Sequence, residues 1–265
     1  MLTRTLLTVL FAANVFAQTA TPHALTTELQ KIRMPVVLKD GRLTGSGAEL
    51  LHKELASTQF FMIAEEHGTA EIPRFHKALL QEAWKNGYRH VALEIGPLAL
   101  ARISSYEDAR KSNLAHPFGY GYPFLGWKED AEVFDAAMKL GGGRRETVWG
   151  IDQEFVFYAT AHLERLVSLA KTDAQRAAAT KALERSRAGD AELAATKNPA
   201  KLLMLSATAE ELDELRRAFS GGDAAAVRLI EALDESRAIY QMHSVSGWQS
   251  NHTRAALIKR LFLDA

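Results

Sequence analysis

Carboxylates and one histidine fall where short apolar runs end. Residues 59–65 (QFFMIAE) close on Glu65-Glu66-His67-Gly68, residues 89–95 (RHVALEI) carry Glu94, and residues 147–151 (TVWGI) are followed by Asp152. A carboxylate ending an apolar strand is costly to desolvate unless it is paired, bound to a metal or used in chemistry. In parallel α/β sheets, ligands sit beyond the carboxyl ends of the strands. One such end reads as a helix cap or ion pair, but three at one edge favour a site. Side chains alternate along a strand, which puts Glu65 and His67 on one face and turns Glu66 away.

Around this set lie weaker candidates. Gly68-Thr69 leads into a helix whose free first-turn amides suit an anion or a developing oxyanion. Arg74 in that helix can clamp a carboxylate or orient Glu65, or be a plain surface charge. Residues 112–127 (SNLAHPFGYGYPFLGW) are dense in aromatics, and Tyr120 and Tyr122 there suit an apolar or ring-bearing ligand, or a loop packed on helices. His76, His90 and His162 read as structural or exposed. The chain has no G-x-S-x-G elbow and no H-E-x-x-H helix, and the run 141–143 of three glycines is a turn, since no Lys-Ser/Thr follows it.

The elements that position these residues alternate in period. Continuous apolar runs at 59–65, 89–95 and 147–151 predict strands buried on both faces. Ile72, Phe75, Leu79 and Ala83 repeat at helical spacing, with Pro73 in the first turn and Asn86-Gly87 at the end. A second helix is expected over 129–140. This order predicts an α/β fold, a mainly parallel sheet flanked by helices. From about 157 to 247 the composition turns to Ala, Leu, Glu and Arg, which predicts an α-helical insertion or cap. Thr208 with Glu211 forms a capping-box pattern for a helix through Phe219, and further helices are expected over 224–240 and 252–263. So much helix after three strands leads us to expect a further carboxyl-terminal segment.

Arg4, the apolar run 6–13 (LLTVLFAA) and Val15-Phe16-Ala17 have the form of a signal peptide cut after residue 17, leaving residues 18–265 as a single domain in the periplasm or outside the cell. The run is too short to span a bilayer, so no stable membrane insertion is expected. The full chain carries 32 basic and 32 acidic residues; losing Arg4 leaves 31 against 32. That balance offers no field for nucleic acid, and a small-molecule substrate or ligand is the expected partner. Without cysteine there is neither a disulfide nor a thiol nucleophile.

At Ala64-Glu65-Glu66-His67-Gly68-Thr69, with Glu71, Pro73 and Arg74 following and Val91-Ala92-Leu93-Glu94 next, the chain resembles the erythromycin esterase/ChaN-like superfamily, which includes the Tiki-type proteases. The resemblance covers about residues 55–155 and reaches weakly to Ser250-Asn251 and Arg254. It implies a site of Glu65, His67 and Glu94. Erythromycin esterases place two residues between glutamate and histidine, which would put Ala64 in the acid position. The Glu65-x-His67 spacing is closer to the ChaN and Tiki branches, which handle haem or metal-dependent chemistry. The resemblance also implies another histidine near the carboxyl terminus, and His243 and His252 lie upstream of where it is expected.

The expectation is therefore an exported hydrolase-like enzyme in which His67 activates water and Glu65 or Glu94 orients it. A metal-dependent version places a divalent ion on Glu65, His67 and Glu94, or Asp152, with bound water as nucleophile. The alternative is a non-catalytic haem- or metal-binding protein of the ChaN type, with Tyr120 or Tyr122 stacking on or ligating haem.

Overall fold

The computed structural model describes residues 24–66, 68–103, 125 and 127–265. The signal-like segment, His67, Tyr120 and Tyr122 lie outside these residues. The chain is mostly helical. Helix α1 (Ala24–Lys31) precedes a hairpin of β1 (Val37–Lys39) and β2 (Arg42–Thr44), antiparallel with Leu38 opposite Leu43. Its loop is Asp40-Gly41, both at positive φ (51° and 73°), the conformation of the tight hairpin turns whose twist matches the strands. Helices α2 (Ser46–Ser57) and α3 (Glu71–Lys85) pack beside it, burying Leu43, Leu55, Ala78, Leu79 and Ala83 together. Pro73 is tolerated in α3 because first-turn amides lack intrahelical acceptors.

The second body of the fold is a parallel pair, β3 (Val91–Leu93) with β4 (Val148–Gly150), in register Val91–Val148, Ala92–Trp149 and Leu93–Gly150. Between them come the short α4 (Pro97–Leu100) and α5 (Lys128–Leu140). Helix α5 lies along α3, clipped by Arg74–Glu129 at 3.0 Å and Lys77–Glu132 at 2.9 Å. Beneath the strands Leu100, Ile103, Phe134, Ala137, Val148 and Tyr158 form a common core.

Everything after Ala159 is helix and turn: α6 (Ala159–Leu169), α7 (Asp173–Thr196), α8 (Leu203–Ser206), α9 (Ala209–Ala218), α10 (Ala224–Val245) and α11 (Gly247–Asp264). The expected capping box at α9 forms, Thr208 accepting from the Glu211 amide while the Glu211 side chain accepts from Thr208. Thr172 and Gln175 repeat it at α7. The apolar stripes of α6, α7, α9 and α10 meet in the largest core cluster, with Leu163, Leu166, Phe219, Ile230 and Leu233 almost fully enclosed. Among the described residues, no helix is long and apolar enough to cross a membrane.

The mainly parallel sheet is the expectation that changes most. The described strands form two separate pairs, and only one is parallel. Residues 59–65 form no strand. Their apolar character is met by side-chain packing instead. Phe61 enters the α2–α3 cluster and Phe60 meets Phe262 of α11 edge-on at 5.6 Å, while Met62 is 96 % exposed. An apolar run signals burial, not pairing, and here even the burial is partial.

Candidate functional site

Two of the three strand-end carboxylates meet. Glu94 directly follows β3, and Asp152 stands two residues past β4. The ladder continues beyond the strands, with the Ile151 amide donating to the Leu93 carbonyl (3.2 Å) and the Asp152 amide to that of Ile95 (3.2 Å). Gly150 permits this, because a Cβ there would lie 2.8 Å from the Ile95 oxygen and 2.9 Å from the Pro97 Cα. The backbone after β3 thus crosses close over β4 and carries Glu94 alongside Asp152.

Arg254 of α11 joins them. Its Nε donates to Asp152 Oδ1 at 2.9 Å, and its Nη2 donates to both Asp152 Oδ2 and Glu94 Oε1. Such a forked arginine–carboxylate contact fixes geometry as well as charge. Its hydrogen bonds to Asp152, then those to Glu94, hold the guanidinium above its ordinary range against the opposing effect of burial. Ser250, one turn earlier on α11, anchors the helix by donating to the Ile239 carbonyl at 2.9 Å. Farther along, Phe262 packs edge-on against Trp149 of β4 at 5.8 Å. Tyr240 of α10 closes the floor. Burial pushes its phenol up to about 12, with the bond from Gln153 opposing and the Asp152 charge adding to the rise. It therefore stays protonated, and its oxygen accepts from the Val156 amide at 3.2 Å.

The other predicted residues are placed differently. Glu65 is exposed on the segment leading to α3, and Arg74 pairs with Glu129 of α5. Gly68 takes a positive φ of 85° before α3. His76 of α3 stands near the Ala64 carbonyl. Burial pushes its pKa below the ordinary value, that carbonyl pulls the other way, and its Nε2 is buried with no partner. His90, just before β3, stacks on Trp149 at 4.5 Å.

A second polar cluster was not anticipated. Glu154 and His162 are each about 1 % exposed and bonded at 2.9 Å. Glu154 also accepts from the Leu98 and Ala99 amides of α4 at 2.8 and 3.1 Å, and its own amide donates to Ser236 of α10 at 2.9 Å. A Cβ on Gly96 would lie 2.4 Å from this carboxyl group, so glycine leaves its room. This cluster ties α4, α6 and α10 together and leaves no face open to a ligand at Glu154.

Chemically, the Glu94–Asp152–Arg254 cluster is a pair of carboxylates under one guanidinium, with Glu94 and Arg254 each about a third exposed. It can orient a partner imidazole or hold a polar ligand at the strand ends. A dication on Glu94 and Asp152 would have to displace the Arg254 guanidinium. Among the described residues, no three His, Asp or Glu side chains are placed to hold a metal. No family model matches the chain, and neither a curated relative nor a solved structure matches it.

Proposed function

We propose that the chain is an exported hydrolase of the erythromycin esterase/ChaN-like type, acting at the carboxyl edge of the β3–β4 pair. In this reading that pair is the centre of an α/β sheet. His67 takes a proton from water, the resulting hydroxide attacks the substrate's acyl carbon, and the proton passes to the leaving group. Glu65 or Glu94 orients the imidazole and stabilises its positive charge, and the Gly68–Thr69 amides support the oxyanion.

The observation that carries this reading is the convergence of Glu94 and Asp152 under Arg254 at adjacent strand ends. A carboxylate positioned by a guanidinium, yet a third exposed, suits an imidazole-orienting role. Glu154, sealed on every oxygen, does not. The absence of cysteine and of a nucleophilic-serine elbow favours direct attack by water over an acyl-enzyme.

The test is turnover of a panel of carboxylic esters, lactones and amides by the secreted protein, with His67→Ala beside the parent. Positioned base catalysis contributes roughly 10²–10⁴-fold, so His67→Ala should lose at least that much while its unfolding midpoint stays unchanged. Equal turnover by the variant would remove His67 from the mechanism. Loss of turnover on exhaustive chelation would shift the nucleophile to a metal-bound water on Glu65, His67 and Glu94.

A further inference from the structure

Away from the strand edge, a cavity of about 570 Å³ opens between α4, α6 and the first turn of α10. That is within the roughly 300–1,000 Å³ typical of small-ligand pockets. Its walls are divided by polarity. Leu98, Leu169 and Leu229 supply an apolar lining with His162 among them, while Arg102, Arg165 and Arg228 stand exposed around it. Arg102 gives one hydrogen bond to the Ala161 carbonyl (2.8 Å) and Arg165 one to the Ser168 hydroxyl (3.3 Å). None of the three arginines is in an ion pair among the described residues. A guanidinium carries five N–H donors, so most of theirs remain available.

Among the described residues, the two acids beside the cavity are already engaged. Glu164, the one acid lining the cavity among the described residues, accepts from Arg187 at 2.8 Å. Asp223, whose carboxylate feels the Arg228 charge, caps α10 through the Ala225 amide and pairs with Lys171 at 3.4 Å. Ala225 itself lines the cavity, so the positive end of a 22-residue helix adds to the arginines. An anion is attracted here, and the leucines favour one with an apolar body.

We infer that this cavity is a binding site for an amphipathic carboxylate, its head held by Arg165 and Arg228 and its alkyl part against Leu98, Leu169 and Leu229. It is separate from the strand-edge site and does not depend on catalysis there. A bare phosphate would meet the arginines but leave the apolar wall uncovered; a neutral alcohol would do the reverse.

Isothermal titration of the full protein with octanoate, 1-octanol and inorganic phosphate at low ionic strength tests this. Octanoate should bind saturably at one site, at least tenfold tighter than either control, and added salt should weaken it while leaving octanol unaffected. The double variant Arg165→Gln/Arg228→Gln should lose at least tenfold in octanoate affinity. Lys53→Gln on α2 should match the parent, with unfolding midpoints confirming that all three are folded. No saturable octanoate binding, equal affinity for octanol or phosphate, or a double variant that binds like the parent would each overturn the assignment. If the double variant does not fold, the salt dependence and the two control ligands in the parent decide the matter alone.

Discussion

Asp152 and Glu154 lie two residues apart on the chain leaving β4, yet they belong to different kinds of polar cluster. Asp152 turns to Arg254 and, with Glu94, forms a group that keeps water access through its outer members. Glu154 turns inward to His162 and two α4 amides, inside a seal of helices. Both set a carboxylate against a nitrogen donor. The contrast shows that access to solvent separates a group that holds the fold from one that can act on a ligand. Glu154 is about 1 % exposed with both oxygens bonded, whereas Glu94 is a third exposed.

The largest effect that sharpens this contrast is on stability. Leaving a buried donor without its acceptor costs about 1–3 kcal/mol, so removing a carboxylate that serves three donors costs about 3–5 kcal/mol in all. Glu154→Ala should lower unfolding free energy by that amount in urea titration, because it orphans His162 and the Leu98 and Ala99 amides together. Glu154→Gln keeps the shape and one acceptor oxygen and should cost clearly less. A loss below 1 kcal/mol in the alanine variant would mean that water or a shifted side chain replaces the carboxylate.

Arg254→Ala should act more mildly, by about 1–3 kcal/mol, the range for leaving a buried acceptor without its donor. Asp152, 7 % exposed, carries that cost, and Glu94 can turn to solvent. Arg254→Lys should recover only part of it, because an ammonium cannot reproduce the forked contact. Measured beside Glu154→Ala, an equal or larger loss in Arg254→Ala would erase the distinction between the open and sealed clusters.

How far each region was legible follows from the range of its signals. Helix α3, with Pro73 near its start and Asn86-Gly87 at its end, and the Thr208–Glu211 capping box are local patterns, and they appear as read. Asp40-Gly41 between two short strands was an equally local hairpin signal that went unread. The 59–65 run misled because apolar content does not tell a paired strand from an extended segment packed by Phe60 and Phe61. At the site, Glu94 and Asp152 were visible as strand ends. Their partner Arg254 stands 102 residues beyond Asp152 and 160 beyond Glu94, and was marked only through a family resemblance. His162 did leave a trace, falling on the buried stripe of α6 with Ala159, Leu163 and Leu166. A histidine on such a stripe needs a buried acceptor, and Glu154 is eight residues upstream.

The smallest effect separates the buried His162 from the half-buried His76. His162 has Glu154 as a partner; His76 has a buried Nε2 with none, and burial holds its pKa below the ordinary 6.5. The native state therefore favours neutral His76, while the unfolded chain takes up a proton as pH falls past 6.5. The stability His76 contributes is fully present above that value and is lost as pH falls through the window down to its lowered native pKa. His76→Gln removes this titration. Its urea midpoint should decline less than the parent's between neutral pH and the onset of carboxylate titration, so that, with the difference at neutral pH subtracted, the two curves are farthest apart at the acid end. Parallel curves across that window would mean His76 is protonated as readily in the native state as in the unfolded one, and that its ring finds water or a partner at Nε2.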